Sequence, residues 1–443
     1  MFYDIAERLF KEKQADHAEL QMISHDKWLT RFADNAIHQN VNEVQQQFSV
    51  RVAIGGKYGS ASVESPDFEQ LGRALKRATE HARLSPENPN HVGLPETGEA
   101  ACVCAKDCET AQMTAADRAN AVLEITRRAD ARDVLAHGYY SSCVRQVGVA
   151  NSLGVRAYHE ATEADCVAIA VAPGCSGYAR ALSLRKSEVC PKALAETAIS
   201  KCVEGRNPRP LEAGDYEVVL EEEAAAELLT SLGMAFDARA VSEGRSLVAH
   251  FVGKKVLGDN ISVVDDGHCA DGLPLPFDFE GRPRKRLELV KNGVIKDLVH
   301  DAASAQKAGT EATGHAVPSF ARVFGVSAVP MHLFVAPGNS DIHEMVRNTK
   351  RGILITRLWY NRLVHPIKTL ITGMTRDGTF YIEDGEIKYP ILNMRYTQSV
   401  VEALNNVEEL SETTKLRSVM GYGSIRVPAM KIGKFTFTGT TEH

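Results

Sequence analysis

The sequence has no apolar run approaching the roughly 18–20 residues that a bilayer-crossing helix needs. Its first residues, MFYDIAERLFKEKQADHAEL, carry charge from Asp4 onward and hold no apolar core of the signal-peptide kind. A large excess of one charge is missing too. The 51 basic and 57 acidic residues leave a net charge of −6, so no global basicity points to nucleic acid. Nine cysteines, an odd number without a secretory leader, argue against a disulfide framework. Cys102, Cys104 and Cys108 cluster, but they lack the second CxxC or histidine pair of a zinc module. No cysteine follows Cys269. A GxSxG elbow is absent, which speaks against a serine hydrolase. Gly55-Gly56-Lys57-Tyr58-Gly59 lacks the Ser or Thr that follows the lysine of a phosphate loop, and reads as hairpin chemistry. No dinucleotide fingerprint, low-complexity segment or internal repeat is found. These absences predict a cytoplasmic protein that neither enters a membrane nor binds nucleic acid directly.

At 443 residues, 44% hydrophobic and 24% charged, the chain has an ordinary globular composition and the length of two domains. The best linker is Glu204-Gly205-Arg206-Asn207-Pro208-Arg209-Pro210, which divides it into 1–209 and 210–443. The fold class expected is α+β, with an N-terminal α/β domain and a C-terminal β-rich domain.

In the first part, helices are predicted over Asp4–Gln14, from Ser65-Pro66-Asp67 to Leu84, over Thr114–Ala131 and over Pro191–Glu204. Thr114 with Asp117 three residues on is a weakened capping box. Strands are expected at His17–Ser24, Trp28–Asn42 with a turn at Asp34-Asn35, Gln47–Ile54, Ser60–Val63, Val134–Val147, Val149–Val155, Cys166–Val171 and Tyr178–Leu184. The second part reads as short strands. Leu273–Phe279, with Pro274 and Pro276, looks like an extended edge, and Asn292-Gly293 and Asp384-Gly385 are hairpin turns.

The central stretch is Tyr216–Leu229, YEVVLEEEAAAELL. Apolar alternation at Tyr216, Val218 and Leu220 gives a strand, and the alanines and leucines after it give a helix. Glu221, Glu222 and Glu223 fill the first turn, where the helix dipole favours negative charge. Glu223 and Glu227 fall on one face, one turn apart. The simplest reading of this acidic run is a solvated helix start. The other reading is a helix of the metalloprotease kind, in which histidines ligate zinc and a glutamate activates water. This helix has the carboxylates and no histidine.

Six segments in order resemble the TldD/PmbA family: TRFADNAIHQN, VRVAIGGKYGSASV, VANSLGVRAYH, DFEGRPRKRLELVKNGVIKDLVHD, TGHA and FYIEDGEIKYP. Each is weak alone, and together they span nearly the whole chain. The resemblance implies a family in which TldD is a zinc metalloprotease. Its TldE (PmbA) counterpart, linked by name to DNA gyrase, pairs with it in a cytoplasmic heterodimer. That heterodimer cleaves extended peptides and is linked to peptide maturation. The TldD type carries HExxxH and a late cysteine. Here the corresponding residues are Glu222, Glu223 and Glu227, and the late segment Ser418–Ser424 has no cysteine. The resemblance therefore points to the TldE branch, with no cofactor in this chain and zinc in a TldD-like partner. A homodimer that binds peptide or modulates gyrase is the alternative. Peptide-groove candidates are His315, in the TGHA turn, and by family position Tyr360, Asn361, Thr375, Arg376 and Asp377. His250 is a weaker candidate base.

Overall fold

The computed structural model describes residues 2–87, 92–96, 102–419 and 423–440. The first sheet contains β1 (His17–Ala33), β2 (Ala36–Ile54), β3 (Lys57–Val63), β4 (Leu135–Asn151), β5 (Arg156–Ala172) and β6 (Cys175–Ser183). Their order is β3-β2-β1-β4-β5-β6, and every pairing is antiparallel. Asp34 and Asn35 both take the left-handed conformation and turn β1 into β2 as the sequence predicts. The break expected between Ser24 and Trp28 is absent: β1 runs through it in unbroken register with β2 and β4.

One face of this sheet is covered by helices. They are α1 (Phe2–Lys11), α2 (Phe68–Leu84), α3 (Cys108–Ala111), α4 (Ala115–Asp130) and α5 (Pro191–Glu204). Asp67 caps α2, and Thr114 with Asp117 closes a complete capping box on α4. Two edge-strand glycines set how closely the helices lie. A Cβ at Gly59 would stand 2.0 Å from the Ala78 carbonyl oxygen, and one at Gly177 2.1 Å from that of Ala198. Either substitution would push α2 or α5 off the sheet.

The opposite face carries Ile23, Val147, Val149 and Ala157. They pack against Leu275, Phe277, Phe279, Val317 and Met331 of the second part. Gln21 Nε2 donates to the Phe279 carbonyl at 2.6 Å. The segment Leu273–Phe279 is thus a buried packing loop and not the edge strand expected from sequence. Pro274 and Pro276 cannot donate to a ladder, and the intervening apolar residues bury against the first sheet.

The second part contains β7 (Gly214–Leu220), β8 (Val263–Asp265), β9 (Leu287–Lys291), β10 (Val294–Ile295), β11 (His332–Val335), β12 (Arg351–His365), β13 (Leu370–Glu383), β14 (Glu386–Pro390), β15 (Met394–Ser399), β16 (Val407–Val419) and β17 (Gly423–Thr440). Pairings β7–β12, β12–β13, β13–β15, β15–β17 and β17–β7 close a five-stranded ring. The largest apolar cluster includes Tyr216, Val218, Ile353, Ile355, Tyr396 and Phe435 from these strands. Helix α6 (Glu222–Gly233) follows β7 directly and buries Leu228, Leu229 and Leu232 in that cluster. Shorter helices α7 (Ala238–Ser242), α8 (Ala302–Ala308), α9 (Ile342–Arg347) and α10 (Val400–Asn405) complete the described α-helices. No described helix is long and apolar enough to cross a membrane.

Candidate functional site

The first turn of α6 is not solvated. Glu221, Glu222 and Glu223 are all buried, and each is met by a different cation, one from α5 and two from β16. Lys201, near the end of α5, pairs with Glu221, whose other carboxylate oxygen accepts from Thr356 Oγ1 at 3.3 Å. Lys415 Nζ lies 2.8 Å from Glu222 Oε2. Arg417, two residues on along β16, reaches Glu223 Oε2 and Glu227 Oε1, both at 3.1 Å, and also donates to the Glu223 carbonyl at 3.0 Å. Strand periodicity places Lys415 and Arg417 on one face. Burial by itself would lower the Lys415 pKa, but Glu222, joined by Glu221 and Glu223, makes the net direction up.

Glu227 is also held from the barrel side. Asn361 Nδ2 donates to Glu227 Oε2 at 2.7 Å, and the buried Tyr396 hydroxyl donates to the amide oxygen of Asn361. Burial and then the Glu227 charge push the Tyr396 phenol upward, so it remains a donor. Across the domain junction, Tyr178 is pushed up to about 12, first by burial and then by Glu223. Arg180 beside it pairs with Asp165, Nε to Oδ1 at 2.8 Å.

Protein zinc sites are built on histidine nitrogens and cysteine thiolates, with a carboxylate as one ligand among them, either as a closed tetrahedron or as three ligands and an open position. Glu222, Glu223 and Glu227 do not fit it. Glu223 and Glu227 share one guanidinium, Glu222 pairs with Lys415, and no group of three or more His, Cys, Asp or Glu among the described residues is placed to hold a metal. Of the late segment, Met420-Gly421-Tyr422 lies outside the described residues.

A cleft of about 780 Å³ opens between the end of β5 with the start of β6 and the long β12–β13 arm. Tyr360, Arg376 and Asp377 line it. Asn361, the next residue along β12, is engaged with α6 instead, bound to Glu227 as described. Two candidates lie elsewhere. Thr375 is fully buried, accepting from the Met394 amide at 2.9 Å and from Thr379 Oγ1 at 3.0 Å, so it secures strand packing. His315 does not face a groove. It is fully buried, with Nε2 3.0 Å from Asp265 Oδ1 and Nδ1 2.9 Å from Thr313 Oγ1. His250 is exposed, in a turn beyond the helix.

Sequence reasoning missed Lys201, Tyr178, Arg357, Lys415 and Arg417. One signal was present: Lys415-Leu416-Arg417 alternates at strand period. The polar run Ser411–Thr414 before it hid the strand, and the register of β16 with β17 does shift between Leu410 and Thr414.

A two-layer antiparallel domain joined to a closed β domain, with an acidic helix start at the junction, describes this class of protein. The match to known families is direct. Residues 213–439 match the PmbA/TldA metallopeptidase C-terminal domain, and residues 18–82 match PmbA/TldA metallopeptidase domain 1. The chain belongs to the PmbA/TldD metallopeptidase family. It is 26% identical over 230 residues to the metalloprotease PmbA of Escherichia coli O157:H7, covering 51% of this chain and 47% of that protein. It is 23% identical over 262 residues to the metalloprotease TldD homolog of Buchnera aphidicola, covering 56% of this chain and 51% of the other. The match thus spans about half the length of these curated relatives. The crystal structure of TldE from Thermococcus kodakarensis superposes with a TM-score of 0.88 at 20% identity, covering 99% of this chain and 100% of that one. A putative modulator of a DNA gyrase from Thermotoga maritima gives 0.85 at 18% identity, with 99% and 100% covered. These likenesses show a shared fold.

Proposed function

We propose that this chain is the metal-free subunit of a two-subunit metallopeptidase of the PmbA/TldD kind. Arg417 carries the reading. A guanidinium binds the two carboxylates of α6 that the resemblance aligns with one metal-ligand position and the general base. One positive charge, placed by Nη1 between the two acids, replaces the need for a divalent cation there. A TldD-like partner supplies zinc, the water-activating glutamate and polarisation of the scissile carbonyl. This chain supplies part of the wall around an extended peptide, held through strand-like main-chain contacts that tolerate many sequences. Residues 1–209 and 210–443 act as the two walls of its cleft, and the complex works in the cytoplasm.

Support for assembly comes from the β12–β13 arm. Tyr360, Leu363, Val364 and Ile367 are each more than half exposed there. Such a patch is uncommon on a monomer and marks an interface. The test is purification of the tagged full chain from its own host. A HExxxH-bearing subunit should copurify, with chelator-sensitive peptidase activity only in the complex. Recovery as a homodimer alone, without such a subunit, would instead support a peptide-binding role without proteolysis. Cleavage by the isolated chain would overturn the proposal.

A further inference from the structure

The cleft beside the β12–β13 arm has an uneven charge balance. The Trp359 indole is flanked by two guanidiniums, with Arg357 4.7 Å and Arg376 4.9 Å from the ring centroid. Arg357 also lies 4.4 Å from the centroid of Tyr178. A single carboxylate, Asp377, serves both arginines. Its Oδ2 is 2.9 Å from Arg357 Nε, and its Oδ1 accepts from Ser176 Oγ at 2.7 Å. Asp377 is buried, and both of its oxygens are already engaged by Arg357 and Ser176. Arg376 is left with Nε 3.8 Å from Asp377 Oδ1, beyond hydrogen-bond distance, and its side chain is 45% exposed. Two like charges on one ring repel, and a guanidinium presents five donors in a planar fork that fits a carboxylate.

We infer that Arg376 is a carboxylate-binding residue of the cleft, with the Trp359 face taking the aliphatic stem of the same group. The ligand class is a peptide bearing a carboxylate at this point, as an Asp or Glu side chain or as the free C-terminus. The inference rests on the peptide-binding reading and gives it a substrate preference. A lone surface arginine would be solvated and indifferent. Here the aromatic face, the single saturated acid and the concave wall occur together.

The test uses the full chain carrying Trp28→Phe, which leaves Trp359 as the sole tryptophan. Unstructured peptides of one length are titrated in four forms: neutral with an amidated C-terminus, neutral with a free C-terminus, and Glu-containing and Gln-containing amidated forms. Trp359 fluorescence reads binding. At least one carboxylate form should bind about tenfold more tightly than its amide counterpart, the ratio a charge-assisted pair gives. Which form shows it tells a C-terminus from a side chain. Arg376→Gln should abolish that ratio while leaving neutral-peptide affinity in place. Equal affinity for carboxylate and amide forms, or a ratio that survives Arg376→Gln, overturns the inference and leaves peptide binding standing. Binding of none of the four overturns both.

Discussion

Arg417 Nη1 stands 3.1 Å from a carboxylate oxygen of Glu227, and the same nitrogen is 3.1 Å from Glu223. One guanidinium on β16 therefore ties together two acids a helical turn apart. Glu223 is buried and Arg417 is mostly so. The acids depend on the arginine for charge balance, because a buried carboxylate without a partner is strongly disfavoured.

Removing that partner should be costly. Arg417→Met leaves two acids facing each other at the start of α6, and the chain should lose about 3 kcal/mol of unfolding free energy. Adding Glu223→Gln to Arg417→Met should restore part of the loss, since the uncompensated charge goes with it. Urea unfolding of the two single variants and the double variant measures this as a thermodynamic cycle. Strict additivity would show that the pair is not coupled.

Acid should destabilise the protein through buried histidines. Burial pushes His25 and His159 down to about 4 and His332 to about 3. The folded values lie below the unfolded value of 6.5, so the unfolded chain binds these protons first. Their contribution is complete above the unfolded pKa and is lost as pH falls through the folded values. Asp278, raised to about 6 by burial and then by Glu280, acts oppositely, because its stabilising share is lost as pH rises towards 6. Three groups outweigh one, so urea midpoints should fall steadily from pH 6.5 to 4. His332→Leu should flatten that slope. A midpoint unchanged over this range would contradict the assignment.

How much of this was legible in the sequence depends on local signals. Capping residues placed α2 and α4 to within a residue or two, and Pro191 and Gly205 placed α5, because those ends are set by the chain itself. The outer half of β12 and the start of β13 escaped notice, since exposed apolar residues such as Leu363 and Val364 erase the two-residue alternation. The acidic start of α6 was visible as a run of glutamates. Its burial was not, because the compensating cations come from positions 201, 415 and 417 and only the fold brings them together. His315 drew attention as a polar residue in a loop, whereas tertiary packing makes it an internal ligand of Asp265.

Assembly should run through the β12–β13 arm. A stable interface commonly buries upwards of about 2,000 Å² in total, and the arm's apolar residues are the material for it. Light scattering at micromolar concentration should find the isolated chain dimeric. Leu363→Asp with Ile367→Asp should give monomer without altering the melting temperature by more than the loss of dimer explains. A monomeric parent chain would contradict the expected dimer, and a double variant that stays dimeric would place the interface elsewhere.

Peptide hydrolysis by the purified chain should stay at background, and Glu223→Gln should leave that background unchanged. A carboxylate with no Lewis acid beside it does not lower the pKa of water towards neutrality. Mass-spectrometric assay of an unstructured peptide with and without chelator reads this. Chelator-sensitive cleavage that vanishes in Glu223→Gln would mean the carboxylates work on a metal after all.

The central claim is that Arg417 takes the place of a metal ion at the start of α6. Zinc content of the purified full chain, measured by elemental analysis after dialysis against zinc-containing and then metal-free buffer, tests it most directly. The account predicts far less than one zinc per chain, both in the parent and in Glu223→Gln. About one zinc per chain, lost when Glu223 and Glu227 are replaced by glutamine, would contradict it.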